Sequence, residues 1–260
     1  MRLKDKSALI TGAGSGIGKS IAEAFAREGA YVATADLNLS AAQMVSEQIN
    51  LAGGRAIHLQ MDVANEEQVN AGVEQVVREF SALDLLVSNA GIQIINPIVD
   101  FSFADWRKLV GIHLDGAFLT TRAAMRAMIS QGRGGTILYM GSVHSHLASP
   151  NKSAYVAAKH GIVGLAKAVA KEGAKHGIKS NIICPGFVRT PLVEKQIPDQ
   201  AQQLGITEEE VVKKVMLGQT VDGEFTSMED VAATAVFLAS FPSSALTGQS
   251  IMVSHGWFMQ

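Results

Sequence analysis

A chain of 260 residues, 47% of them hydrophobic, carries enough apolar material for one large domain with a sizeable core. Its formal charge of −2, with no dense block of Lys or Arg, argues against binding to nucleic acid or to an anionic membrane surface. One cysteine, Cys184, excludes an internal disulfide, and there is neither a signal-peptide pattern nor a run of roughly eighteen apolar residues, which is typical of a reduced, cytoplasmic protein. Cys184 ends an apolar run, so we predict a buried structural thiol.

Short apolar runs alternate with stretches of helical periodicity along the chain. The predicted strands are 7–11, 31–35, 56–61, 83–88, 136–140, 180–184 and 250–253, and the main predicted helices are 16–28, 40–52, 66–80, 102–130, 153–175 and 228–239. Nearly continuous apolar strands such as Leu83-Asp-Leu-Leu-Val need cover on both faces, which favours a parallel sheet. The sequence therefore predicts an α/β fold: a single Rossmann-type, doubly wound domain over residues 1–260, with a seven-stranded parallel sheet and helices on both faces.

The segment from Pro185 to about Ser227 interrupts this alternation. It contains no predicted strand and two short helical patches, at 191–197 and 207–217. A long insertion at the carboxyl end of a strand in such a sheet lies where ligands bind, so we interpret residues 187–226 as a lid. A surface excursion without a catalytic part is the alternative.

A glycine-rich turn, Thr11 to Gly18, joins the first predicted strand to the first helix. Residues without Cβ let the backbone approach a pyrophosphate, and the helix N-terminus offers oriented N–H groups. Asp36 ends the second strand about twenty residues later, where a carboxylate can accept both ribose hydroxyls of an adenosine. It would repel a 2′-phosphate, and neither Leu37 nor Asn38 supplies a cation, which favours NAD over NADP. Alternatively, Asp36 merely starts a turn.

Two further segments follow strands at the same edge of the sheet. Asp62 comes after the third strand, where it could accept from an adenine amino group or simply cap the next helix. Asn89-Ala90-Gly91 comes after the fourth, and the small Ala90 and Gly91 let the backbone approach a ribose.

Tyr155 and Lys159 are four residues apart within a predicted helix, which places both side chains on one face. A lysine charge beside a phenol lowers the phenol pKa from about 10 toward neutrality, as proton transfer requires. Such a pair also arises by chance, so it carries little weight alone.

Together these motifs resemble the short-chain dehydrogenase/reductase family across essentially the whole chain. The matching features are the TGxxxGxG turn at 11–18, NAG at 89–91, the serine Ser142, YxxxK at 155–159 and PG at 185–186. The resemblance implies hydride transfer between a nicotinamide and an alcohol or ketone, usually in a homotetramer. It implies that Tyr155 exchanges the proton with the substrate oxygen, that Ser142 hydrogen-bonds that oxygen, and that Lys159 binds the nicotinamide ribose and lowers the tyrosine pKa. The implied cofactor-binding residues are Gly12, Ser15, Gly16, Ile17, Gly18, Asp36, Asp62, Val63, Asn89, Ala90, Gly91, Tyr155, Lys159, Pro185, Gly186, Val188 and Thr190.

His113 departs from the family pattern, because it stands where the fourth catalytic residue is an asparagine. In the family that position binds a water leading to the lysine, largely through its main chain. A histidine keeps the carbonyl and adds a titratable ring, so we expect a catalytic role for His113 with an altered proton relay.

Around the site the chain resembles the D-3-hydroxybutyrate dehydrogenases of the family. In those enzymes the residues matching Gln93, His144, Lys152 and Gln196 hold the substrate carboxylate, and one cation with two amides and an imidazole suits a small anion. Plainer roles are a solvated loop lysine for Lys152, a packed histidine for His144 and ordinary surface or loop amides for Gln93 and Gln196. No metal site is predicted at His144 and His146, because no carboxylate or cysteine partner has suitable spacing.

Two aromatic residues complete the implied substrate site. Trp257 matches a position that can close over the substrate methyl group, although packing or a subunit contact would explain it equally well. Phe187 replaces a tryptophan, and the smaller ring is expected to admit a longer acid such as 3-hydroxyvalerate.

The resemblance thus implies an NAD-dependent dehydrogenase that interconverts (R)-3-hydroxybutyrate and acetoacetate, a reaction of ketone body metabolism. The alternatives are a dehydrogenase or reductase of another 3-hydroxy acid, a 3-oxoacyl thioester or a sugar, and an NAD-binding protein without turnover.

Overall fold

The computed structural model describes residues 1–259, apart from the side chains of Leu192 and Gln203. Its strands are β1 (Ser7–Thr11), β2 (Tyr31–Asp36), β3 (Arg55–Gln60), β4 (Leu85–Ser88), β5 (Gly135–Met140), β6 (Ile178–Pro185) and β7 (Ser250–Val253). They form one seven-stranded sheet in the order β3-β2-β1-β4-β5-β6-β7, and every neighbouring pair is parallel. The predicted parallel α/β sheet is confirmed.

Helices cover both faces of this sheet. They are α1 (Gly16–Arg27), α2 (Leu39–Leu51), α3 (Glu66–Phe80), α4 (Phe103–Val110), α5 (Gly116–Gln131), α6 (Ser153–Gly173), α7 (Pro191–Leu204), α8 (Glu208–Glu210) and α9 (Met228–Ser240). Successive strand residues point to opposite faces, so in β1 Ala8 and Ile10 pack in the layer with α1, α2 and α9, whereas Leu9 packs in the layer with α3, α5 and α6. Cys184 is buried in the second layer, as predicted, and burial raises the pKa of its thiol to about 11.

Several predicted bounds differ from those in the structure by one or two residues, and one predicted helix is interrupted. The helix predicted over 102–130 is divided by a π-helical turn, Gly111–Asp115, between α4 and α5. Such turns add one residue to the helix and concentrate at functional sites, and this one contains His113. The strand predicted from residue 83 begins at Leu85, since the backbone N–H and carbonyl of Leu83 bond to the Gln131 side chain and not to a neighbouring strand.

The segment 187–226 leaves the sheet and returns to it. A short parallel bridge between Val188 and Thr226 closes its base, and Thr190 caps α7 by accepting from the Val193 N–H. Helix α7 is longer than the predicted patch at 191–197. Together with α8 and the π-helical turn Val211–Met216 it forms a separate small apolar cluster around Ile197, Val211 and Met216. Its function as a lid remains a prediction.

The strand order reverses between β1 and β4, and the carboxyl ends of these strands are where ligands bind in open parallel sheets. The glycine turn follows β1, and the Asn89-Ala90-Gly91 segment follows β4. Over the described residues, no helix combines the length and the hydropathy needed to cross a membrane.

Candidate active site

A cavity of about 90 Å³ lies beyond the carboxyl ends of β5 and β6, under the start of the 187–226 segment. A water-sized group needs about 10–15 Å³, so the cavity has room for a small organic acid. The lining residues are Gln93, Ser142, His144, Lys152, Tyr155, Gly186, Phe187, Val193, Gln196 and Trp257. All the residues predicted to bind substrate are therefore brought together with Ser142 and Tyr155.

Ser142 follows β5 and is held by hydrogen bonds to the next residues. It caps the short helical turn Val143–Ser145: its hydroxyl accepts from the His144 N–H at 3.2 Å, while its own N–H donates to the Ser145 hydroxyl at 3.2 Å. A hydrogen bond from Ser142 also lowers the pKa of Tyr155, although less than burial raises it. The serine and the phenol are thus mutually placed to contact one substrate oxygen.

Tyr155 and Lys159 lie on one face of α6, with the Lys159 ammonium 5.4 Å from the centre of the phenol ring. The ammonium donates to the Met140 carbonyl. Burial raises the pKa of Tyr155 to about 12 and lowers the pKa of Lys159 to about 8. Desolvation opposes the charged form of both groups, and in the free protein it outweighs the other influences on Tyr155, so the lowering of the Tyr155 pKa by Lys159 stays a prediction.

His113 is buried behind Tyr155. Its ring meets Tyr155 edge-on, with centroids 5.4 Å apart, and its Nε2 lies 3.1 Å from the N–H nitrogen and 2.8 Å from the carbonyl oxygen of Ile92. A Cβ on Gly91 would lie 2.4 Å from the His113 Cε1, so the ring occupies space that only glycine leaves open. The ring thus anchors the backbone immediately before Gln93.

The expectation that the His113 ring titrates near neutral pH is wrong. Burial, with the nearby charge of Lys159, lowers its pKa to about 3, so the ring is neutral near pH 7. Its Nδ1 is buried without a hydrogen-bond partner among the described residues. A role for His113 in the chemistry stays a prediction.

Lys152 is a buried cation, which rules out the solvated loop lysine considered from the sequence. The residue is 8% exposed, and its ammonium lies 5.2 Å from the centre of the Phe187 ring. Burial lowers its pKa to about 8, and no carboxylate in the described part of the chain offsets that loss. Gln93 projects its Oε1 into a buried position without a hydrogen-bond partner among residues 1–259. An unpaired cation beside amide groups is suited to an anionic ligand.

Aromatic side chains close the cavity. The rings of Phe187 and Trp257 are stacked, 5.0 Å apart and inclined by 8°, and His144 meets Trp257 edge-on at 5.6 Å. A Cβ on Gly186 would approach Trp257 Cε3 at 3.5 Å. Trp257 therefore packs as a wall of the cavity.

His144 has partners for both ring nitrogens, which the sequence did not indicate. Its Nδ1 lies 3.3 Å from the Ser142 hydroxyl and its Nε2 lies 2.7 Å from the Ser149 hydroxyl. Burial lowers its pKa to about 3, with the charge of Lys152 as a second cause. Sequence reasoning missed this contact with Ser149, because a single loop serine belongs to no motif. Carboxylate binding by His144 stays a prediction, since the ring would have to exchange a partner.

The glycine turn leaves a cradle for a phosphate group. Gly12 and Gly16 have φ values of +63° and +54°, which favour glycine, and a Cβ on Gly18 would lie 2.2 Å from the Gly12 carbonyl oxygen. Ser15 caps α1 without a side-chain hydrogen bond, so the N–H groups of the first turn remain available for an anion. Thr190 lies opposite, with its Cγ2 3.6 Å from the Cβ position of Gly16. The cradle fits a dinucleotide pyrophosphate.

The polar residues along this edge have distinct local functions. Asp36 accepts from the N–H groups of Gly14 and Asn38 at 2.9 Å each, so it does form a turn, and each oxygen keeps a lone pair for a ribose hydroxyl. Asp62 accepts from Ala64, whereas Asn65 caps α3, so the capping alternative for Asp62 is wrong. The remaining predicted cofactor residues lie along the same edge: Ile17, Val63, Ala90, Pro185 and Val188.

Asn89 ties the glycine turn to β4. Its side-chain nitrogen donates to the carbonyls of Thr11 and Gly12, and its backbone N–H donates to the Thr11 hydroxyl. Through these contacts Asn89 stabilises the glycine turn. Among residues 1–259, no group of three or more His, Cys, Asp or Glu side chains is arranged to hold a metal ion.

A doubly wound sheet with a dinucleotide cradle beside a Ser142-Tyr155-Lys159 set at the cavity defines an oxidoreductase of the dinucleotide-binding class. The family model for short chain dehydrogenases matches residues 6–201. The chain therefore belongs to the short-chain dehydrogenase family, whose members use nicotinamide cofactors.

Relatives extend the similarity over the full length. The chain is 40% identical to a D-beta-hydroxybutyrate dehydrogenase of Rhizobium meliloti strain 1021, over 98% of this chain and 99% of the relative. It is 35% identical to a 3-oxoacyl-acyl-carrier-protein reductase of Thermotoga maritima, over 98% of this chain and 99% of the relative. A crystal structure of a short-chain type dehydrogenase/reductase from Mycobacterium marinum superimposes with a TM-score of 0.91 at 34% identity, over 99% of this chain and 97% of that one.

Proposed function

We propose that the protein catalyses the NAD-dependent, reversible oxidation of (R)-3-hydroxybutyrate to acetoacetate. The observation that carries this proposal is the buried, unpaired Lys152 in a cavity of about 90 Å³ that Ser142 and Tyr155 also line. A short acid can place its carboxylate against the ammonium while its hydroxyl contacts the serine and the phenol. The choice of enantiomer follows the name of the Rhizobium relative.

The carboxylate end of the proposed substrate site combines Lys152 with two amides. Gln93 and Gln196 both line the cavity, and the anchoring of Ile92 by His113 restrains the backbone next to Gln93. The charge supplies the affinity and the amides supply orientation, because amide N–H groups donate along fixed directions. The stacked Phe187 and Trp257 then exclude water from the methyl end of the acid.

At the other end, Tyr155 acts as the base that takes the hydroxyl proton while Ser142 hydrogen-bonds the same oxygen. The nicotinamide cofactor, when bound, supplies the acceptor for the hydride that leaves the carbinol carbon. Moving the Tyr155 pKa from about 12 to near 7 requires about 7 kcal/mol of differential stabilisation. Protonated Lys159 contributes part of this, and any further positive charge brought next to the phenol in the assembled complex acts in the same direction.

The preference for NAD rests on Asp36. Its carboxylate lies against Gly14 in the glycine turn, and the next residues, Leu37 and Asn38, carry no positive charge. Ribose hydroxyls can donate to this carboxylate, whereas a 2′-phosphate would be repelled by it.

Steady-state rates with NAD and each enantiomer of 3-hydroxybutyrate test the proposal. We expect turnover of the R form, and Tyr155→Phe should lose it while still binding NAD. Absence of turnover of the R form at millimolar concentration, with NAD binding intact, would overturn the proposed substrate and point to another substrate or to an NAD-binding protein without turnover.

A second candidate is reduction of a 3-oxoacyl thioester, which the similarity to the Thermotoga reductase favours. A thioester carries no carboxylate next to its reactive carbonyl, so it would gain nothing from Lys152. A panel of 3-hydroxybutyrate, 3-hydroxyvalerate and a 3-oxoacyl thioester separates these substrates, and activity with the longer acid would support extra room beside Phe187. Homotetramer formation, a cytoplasmic location and a place in ketone body metabolism remain predictions.

A further inference from the structure

The hydroxyl of Ser142 has one proton and more than one possible use for it. The His144 backbone N–H donates to this oxygen at 3.2 Å, and the His144 Nδ1 lies 3.3 Å away from it. In the proposed reaction, on which this inference rests, the proton must bond the substrate oxygen. If the Ser142 hydroxyl instead donates its proton in a hydrogen bond to Nδ1 of His144, it cannot donate to the substrate oxygen.

The tautomer of His144 decides between these two states. The ring is 4% exposed, and its pKa of about 3 keeps it neutral, so one nitrogen carries a proton and the other is bare. With the proton on Nε2, the bare Nδ1 accepts a hydrogen bond from the Ser142 hydroxyl. With the proton on Nδ1, that N–H donates to the Ser142 oxygen, and the Ser142 proton is free to point into the cavity, toward the Tyr155 phenol and the substrate oxygen.

Ser149 is the neighbour that can select the tautomer. Its hydroxyl lies 2.7 Å from Nε2, the shortest hydrogen bond that His144 forms among the described residues. We propose that Ser149 is a positioning residue: its hydroxyl donates to Nε2 of His144, favours the proton on Nδ1, and so leaves the Ser142 proton for the substrate oxygen. The direction of one loop hydroxyl thereby sets the direction of the catalytic hydroxyl.

In the free protein this chain of hydrogen bonds holds the His144 ring in place. Both ring nitrogens are used, between Ser142 on one side and Ser149 on the other, and the ring edges pack against Tyr155 and Trp257. A serine that merely fills the loop would leave the tautomer unbiased.

Nitrogen-15 NMR of histidine-labelled protein reports the tautomer directly, with the His144 signals assigned through their loss in His144→Gln. We expect the proton on Nδ1 in the parent protein. In Ser149→Ala we expect a shift toward the Nε2 tautomer, and Ser149→Thr, which keeps the hydroxyl, should restore the parent signals. Ser40, exposed at the start of α2, provides the control Ser40→Ala, which should change nothing.

Kinetics provide the second readout. Ser149→Ala should lower kcat about tenfold, raise the primary isotope effect with substrate deuterated at the carbinol carbon, and leave the KM for NAD unchanged, while Ser149→Thr retains most activity. A parent ring protonated on Nε2, or a Ser149→Ala protein with unchanged tautomer and kcat, would overturn the proposal. Because the tautomer is measured on the free protein, it decides the inference even if 3-hydroxybutyrate proves to be the wrong substrate.

Discussion

Replacing Lys152 with methionine removes the charge of a buried side chain and nearly preserves its length. We expect Lys152→Met to raise the KM for (R)-3-hydroxybutyrate roughly 10- to 150-fold and to leave the KM for NAD unchanged. A unit charge pair at 4 Å is worth about 4 kcal/mol at an effective dielectric constant of about 20, but the net value of a charge-assisted hydrogen bond is about 1.5–3 kcal/mol, because water is displaced. At about 1.4 kcal/mol for each factor of ten, the net value sets the expected range.

The same substitution should stabilise the free protein. Burial lowers the Lys152 pKa from 10.5 to about 8, which corresponds to a penalty of about 3 kcal/mol in the folded state. Below pH 8 both the folded and the unfolded states are protonated, so the penalty is fully present. Between pH 8 and about 10.5 the folded state releases its proton first, and the penalty disappears. Urea unfolding at pH 7 should therefore show Lys152→Met more stable by up to about 3 kcal/mol, and the difference should shrink above pH 8.

Lys171→Met is the matched control, because Lys171 is an exposed lysine on the same helix, α6. It should alter neither the KM nor the pH dependence of the free energy of unfolding. A KM for the acid that stays within twofold of the parent in Lys152→Met would refute Lys152 as the carboxylate-binding group. A loss of stability at pH 7 would refute an unpaired buried charge.

Three further outcomes follow from contacts in the structure. Asp36→Asn should lower the ratio of kcat/KM with NAD to kcat/KM with NADP at least about tenfold, because it removes about 1.4 kcal/mol of repulsion between the carboxylate and a 2′-phosphate. An unchanged ratio would contradict the assignment of Asp36. Gly91→Ala should destabilise the protein by about 1–3 kcal/mol in urea unfolding, because the new Cβ would lie 2.4 Å from the His113 ring, and His113→Ala in the same chain should recover part of the loss. His113→Asn should leave the pH profile of kcat between pH 5 and 8 unchanged, since a ring with a pKa of about 3 is already neutral there; a lost inflection would show that the ring titrates.

Local pattern was sufficient for the sheet and for most of the site inventory. Seven apolar runs, the glycine turn and the Tyr155–Lys159 spacing depend on residues close together in the chain, and the parallel sheet follows from them. The ten residues that line the cavity include every predicted substrate residue, because the carboxyl ends of parallel strands converge on one edge whatever lies between them.

The tertiary structure decided what those groups do. The sequence does not reveal the π-helical turn that places His113 or the partners of the two His144 ring nitrogens. Nor does it reveal the burial that raises the pKa of Tyr155 and lowers the pKa of Lys152, each against the charged form. Motif spacing specifies which side chains meet, but protonation state and hydrogen-bond direction depend on solvent exclusion and on neighbours contributed by separate segments, and those exist only once the chain is packed.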